Sequence, residues 1–120
     1  MSIIVAGLLF ILNVENKKRG VKVNLTFNEA WAEHCERLEQ FVPIVERVHG
    51  EKHPEFLQVR ELFDQIREKT KRNQTEKPPL SNEFSKLREV TDNYTVPADV
   101  CESYEAVYNM LHKIDEAYQS

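Results

Sequence analysis

From Phe27 onward apolar side chains recur at Phe27, Trp31, Cys35, Leu38, Val42, Val45 and Val48. Steps of three and four residues put these positions on one face of a helix, and the spacing predicts a helix over residues 25–49. Pro43 falls inside it. A proline removes one amide donor and crowds the preceding turn, so a kink is expected near Glu39 to Phe41. Gly50 is a natural stop, and Pro54 is a natural first-turn residue for a second helix, with His53 near its cap. That helix carries Phe56, Val59, Leu62, Phe63 and Ile66 on one face, after which residues 67–77 offer no apolar side chain. Its end is therefore expected to leave the core or fray. Pro78-Pro79 breaks the chain before a third stripe at Leu80, Phe84, Leu87, Val90 and Tyr94, roughly four turns and the shortest of the set. Beyond a turn at Pro97 a fourth stripe runs through Val100, Tyr104, Val107, Leu111, Ile114 and Tyr118. Four amphipathic helices joined by short connections predict an all-α fold, an up-down-up-down four-helix bundle.

The first residues follow no such rule. Ile3 to Leu12 is a run of apolar residues only about half the length that spans a bilayer. It has the look of a signal-peptide core, yet no basic residue precedes it and no small-residue cleavage site follows, Asn13 to Arg19 being polar and basic. The division expected is an apolar segment and polar linker over 1–24 and a helical domain over 25–120. The run is read as a buried or fraying terminal segment, with a non-native upstream extension and a membrane anchor as the alternatives.

Composition agrees with a helical, water-exposed domain. Of 120 residues 30% are charged and 41% hydrophobic, with 3 Gly and 5 Pro, enough chain for a single core. A net charge of −4 argues against a general grip on nucleic acid, which needs a basic footprint; Lys17 to Arg19 and Lys69 to Lys77 read as a solvated linker and a solvated helix end. Cys35 and Cys101 form no Cys-x-x-Cys pair and no disulfide framework. Reduced thiols in a cytoplasmic protein are the expectation, a buried one behaving as a small apolar residue.

Little in the sequence points to catalysis. It has no Gly-x-Ser-x-Gly turn, no glycine-rich phosphate loop and no Cys-His arrangement with a recognisable local signature, so an enzyme is not expected. A bundle holds metal when Glu-x-x-His or His-x3-Glu pairs project inward from several helices. The four histidines, His34, His49, His53 and His112, have no carboxylate three or four positions away on an apolar face. His34 reads as a hydrogen-bonded interfacial residue and His112 as solvent-facing. His49 and His53 are the metal candidates by spacing, but Gly50 and Pro54 interrupt the helix that would bring them to one ion, and both read better as cap and corner residues.

Two segments carry a resemblance. "VERVHGEKHPEFLQVRELF", Val45 to Phe63, and "REVTDNYTVPADVCESYEAVY", Arg88 to Tyr108, are similar to the hemerythrin-like di-iron proteins of iron-sulfur cluster repair, which respond to nitrosative and oxidative damage. The most specific pieces are the "VHG-x-x-HPE" corner and the "LRxxTxNYxxPxxxC" turn, and the likeness covers residues 25–120. It implies a hemerythrin-like bundle with two irons held by histidines and bridging carboxylates at one end.

Laid on that pattern, the chain lacks the ligands. The histidine of the first helix falls near Asn28. The His-x3-Glu pair of the second falls near Asn73 and Lys77, and the nearest place for the histidine of the third is again Lys77. The histidine of the fourth would come one residue past Ser120. His49 and His53 match family positions, but a continuous first helix puts 28 and 49 about 30 Å apart at roughly 1.5 Å per residue, too far to share a di-iron centre.

The resemblance therefore implies a truncated, degenerate hemerythrin-like domain related to iron-sulfur repair. No cofactor is expected, or a di-iron centre if the family function is retained. Its role would rest on a protein partner or a second copy, and neither nucleic acid nor membrane is expected as a partner. The alternatives are a functional di-iron repair protein whose ligands are completed by a partner subunit, and a metal-free or membrane-tethered helical interaction module.

Overall fold

A computed structural model of the protein describes residues 25–73 and 77–120. The apolar run Ile3 to Leu12 and the proposed boundary at residue 24 lie outside the described residues. Among the described residues four helices form, α1 (Phe27–His49), α2 (Glu55–Arg72), α3 (Ser81–Val90) and α4 (Glu102–Gln119), and no strand. The described residues are all-helical, as the stripes predict, and their four helices are compatible with a four-helix bundle. Packing pairs α1 with α4 and α2 with α3, and α1 also meets α2.

The start of α1 follows from local chemistry. Thr26 accepts from the Glu29 amide at 3.2 Å, and the Glu29 carboxylate accepts from the Thr26 amide at 2.9 Å. This reciprocal pairing satisfies two amides that a helix start leaves without partners. The helix then runs unbroken through Pro43 to His49. Pro43 is exposed, so the helical bond it cannot make lies on the water side, where its loss costs least.

Leu38, Val42 and Val45 of α1 are fully buried among Phe56, Val59, Phe63 and Ile66 of α2, Phe84 and Leu87 of α3, and Tyr104, Val107, Leu111 and Ile114 of α4. Three positions depart from the expected stripes. Val48 is 60% exposed, because at the end of α1 it is the next residue, His49, that turns to the bundle and rests on Tyr104. The polar end of α2 does not fray before Arg72; Thr70 is buried there and its hydroxyl donates back to the Ile66 carbonyl at 2.7 Å. Third, Tyr94 is buried but lies beyond α3, which ends at Val90.

The connection after α3 explains that shorter helix. Asp92, Asn93 and Tyr94 all have positive φ, 52°, 56° and 61°. Asp and Asn tolerate this region, whereas a tyrosine there is held against a cost of about 1 kcal/mol or more. What holds it is a buried knot. The Tyr94 hydroxyl donates to Asp115 Oδ2 at 2.7 Å, Arg88 Nη1 reaches both Asp115 oxygens at 2.7 and 2.8 Å, and Gln119 adds a bond at 3.1 Å. Asp115 is only 3% exposed, so these donors replace the water its carboxylate has lost. Exposed His112 stacks on the Tyr94 ring at 4.9 Å.

A second clasp closes the Pro78-Pro79 break. The Tyr118 hydroxyl donates to the Pro78 carbonyl at 2.7 Å and accepts from the Leu80 amide at 2.8 Å. Lys77 lies over the same ring, its Nζ 4.2 Å from the centroid, and donates to the Tyr118 carbonyl.

Candidate functional site

The "VHGEKHP" stretch folds as a compact corner. The Gly50 amide donates to Glu46 and the His53 amide to His49, at 2.9 and 2.8 Å, and the Phe56 and Leu57 amides then start α2 on His53 and Pro54. Pro54 occupies the cap itself, with no side-chain cap bond, so His53 is freed for contacts across the fold.

Those contacts reach the loop before α4. His49 Nε2 stands 3.2 Å from Cys101 Sγ. His53 Nδ1 stands 3.1 Å from Glu55 Oε2, and His53 Nε2 stands 3.0 Å from Asp99 Oδ1. With both ring nitrogens protonated, His53 makes two charge-assisted bonds; with one, it donates only one. Tyr104 underlies both histidines, edge to face with His49 at 5.5 Å and with His53 at 5.6 Å. The tyrosine itself is fully buried, packs on Phe56 at 5.2 Å, and shares a 3.0 Å hydroxyl contact with Tyr108. Burial raises the pKa of both phenols; for Tyr104 the Tyr108 hydrogen bond adds to the rise, whereas for Tyr108 the same bond opposes it.

The two histidine rings are 6.4 Å apart, and each pairs with its own acceptor or thiol. Among the described residues no group of three or more histidine, cysteine, aspartate or glutamate side chains is placed to hold a metal ion. His49 and His53 thus meet in one corner, His49 against the Cys101 thiol and His53 between Glu55 and Asp99.

Sequence reasoning missed their partners. Glu55 lies two residues from His53, outside the helical spacing that was searched, and Asp99 and Cys101 are 46 and 52 residues from the histidines they meet. The available signal was topological: the end of α1 and the start of α4 lie side by side, so turn residues before α4 belong in the same corner. Of the two thiols, Cys101 is exposed and Cys35 is half-buried.

The other histidines take no part. His34 Nε2 is 4.0 Å from Glu33 Oε2, beyond hydrogen-bond length, which corrects the expected interfacial bond. Burial lowers its pKa, with Glu33 opposing. His112 is solvent-facing, as its place on the stripe suggests.

At the opposite end of α1 two positions that the resemblance assigns to iron ligands, Asn28 and Lys77, come together, with Ser120, one residue short of the fourth-helix position, beside them. Asn28, Lys77 and Ser120 line one cavity of about 300 Å³, with Leu25, Phe27 and Ala117 as its apolar wall. Asn73 instead closes the end of α2, its side-chain amide bonding the Lys69 carbonyl at 2.9 Å. An amide, an ammonium and a hydroxyl are poor company for iron: the ammonium repels a cation, and no carboxylate or imidazole faces it among the described lining residues. The residues present do not fit a di-iron centre.

No family model, no curated protein and no solved structure matches the chain. Among the described residues no helix is long and apolar enough to cross a membrane.

Proposed function

We propose that residues 25–120 form a hemerythrin-like domain of up-down-up-down topology, related to iron-sulfur cluster repair under nitrosative or oxidative stress, that works without a di-iron centre and through protein contacts. One observation carries this reading. Asn28 and Lys77, where the resemblance puts ligands, and Ser120, one residue short of a third, are far apart in sequence yet line a single cavity. Convergence of those positions favours descent from such a site. Their chemistry favours its loss, because Lys77 carries a positive charge and is already committed to the Tyr118 ring and carbonyl.

The test is metal content. Protein expressed in iron-rich medium and purified without chelator is expected to hold iron far below one atom per chain and to lack the absorbance of oxo-bridged ferric pairs. Stoichiometric iron that survives dialysis would overturn the proposal and favour ligands supplied by a partner.

A further inference from the structure

The corner at the other end carries a separate inference. Cys101 is exposed, lies at the cap of α4 without making a side-chain cap bond, and has an imidazole nitrogen 3.2 Å from its sulfur. A thiol within hydrogen-bond reach of an oriented base is the arrangement from which a nucleophilic thiolate forms. His49 is oriented: it ends α1 and rests against the edge of buried Tyr104. The sulfur also borders a cavity of about 330 Å³ walled by Val96, Pro97 and Val100 and flanked by Glu102 and Glu105.

We propose that Cys101 and His49 form a reactive thiol–imidazole pair whose substrate is a small uncharged hydroperoxide. The lining selects the oxidant. Two glutamates lining the cavity disfavour anionic disulfides such as oxidised glutathione, whereas hydrogen peroxide carries no charge and fits the space. His49 takes the thiol proton, and the thiolate sulfur attacks the nearer peroxide oxygen. The O–O bond breaks as the S–O bond forms, and the departing oxygen recovers the proton from the imidazolium and leaves as water or an alcohol. Cys101 loses two electrons and becomes a sulfenic acid; the peroxide gains them.

The imidazole is the base that this pair supplies, so the reaction depends on His49. Cys35 lies 14 residues before His49 on α1, about 21 Å away along the helix. It cannot close a disulfide with Cys101, and the sulfenic acid persists until an outside thiol meets it. Cys35 also serves as the internal control, since burial, and then Glu39, raise its pKa.

The experiment exposes the full chain to one equivalent of hydrogen peroxide with a 1,3-dione trap and quantifies adducts on each cysteine by peptide mass spectrometry. Adduct is expected on Cys101 at least about tenfold faster than on Cys35. His49→Gln is expected to slow Cys101 about a hundredfold, the lower end of the range for a positioned base, and to leave Cys35 unchanged. Equal trapping at the two thiols in the unmodified protein, a measurement that needs no variant, would overturn the pair. So would a Cys101 rate indifferent to His49→Gln in a variant whose helical circular dichroism is intact. A parallel arm with oxidised glutathione tests the substrate class, which fails if mixed disulfide at Cys101 forms faster than sulfenic acid.

Discussion

Three of the chain's four tyrosines sit inside the bundle with raised pKa values, and this makes its stability sensitive to alkali. For Tyr94 the causes are burial, then the hydrogen bond and charge of Asp115; for Tyr104, burial, then the Tyr108 contact; for Tyr108, burial chiefly. In the unfolded chain each phenol ionises near pH 10. In the folded chain each keeps its proton beyond that point, so above about pH 10 the unfolded state binds fewer protons and stability falls as pH rises. Below about pH 10 the stabilisation is fully present. Each tyrosine contributes a slope of about 1.4 kcal/mol per pH unit, and three together about 4 kcal/mol per unit. Against an ordinary domain stability of about 5–15 kcal/mol, a loss of that size per unit is readily measured. Urea unfolding at a series of pH values from neutral to strongly alkaline, read by circular dichroism, measures that slope, and phenolate absorbance counts the protons released. Tyr94→Phe is expected to reduce the slope by about one third while costing about 1–2 kcal/mol at neutral pH for the lost bond to buried Asp115. Phenolate absorbance that rises fully near pH 10 while the helices remain folded would refute the reasoning.

Two further outcomes follow from particular side chains. Glu83 is 8% exposed, has one oxygen on Lys69 Nζ at 2.8 Å, and leaves Oε1 without a partner. Lys69→Met is expected to destabilise by about 1–3 kcal/mol by stranding the carboxylate, whereas Glu83→Met, which removes the stranded group and lets Lys69 keep its water, is expected to be neutral or stabilising; chemical denaturation of both variants checks the asymmetry. A β-carbon added at Gly50 would stand 2.4 Å from the Glu46 carbonyl oxygen, so Gly50→Ala is expected to cost about 1–3 kcal/mol and to lower the melting temperature by several degrees or more, as calorimetry reads directly.

The helices were legible because each buries a stripe at a period that only a helix satisfies, and because Gly50, Pro54 and the proline pair mark their ends. The capping box at Thr26 and Glu29 belongs to the same local grammar. What resisted reading was contact between distant segments. Nothing near Asp115 announces that it will take Arg88, Tyr94 and Gln119 together; it looks like any helical aspartate until α3 and α4 are placed side by side. Tyr94 kept the phase of the third stripe although the chain had left the helix, because a left-handed turn returned its ring to the core. The candidate site divided the same way. The corner role of His49 and His53 could be read from Gly50 and Pro54, but Asp99 and Cys101 required knowing which ends of which helices are neighbours.

The unbroken length of α1 separates two chemistries. Its tips are about 33 Å apart for 23 residues, several times the distance over which charges feel one another through physiological salt. The ammonium at one tip therefore exerts almost no field on the sulfur at the other, and mutational drift at the cavity end leaves the thiol corner electrically undisturbed. A spacer of this length lets a charge be altered at one tip without being felt at the other.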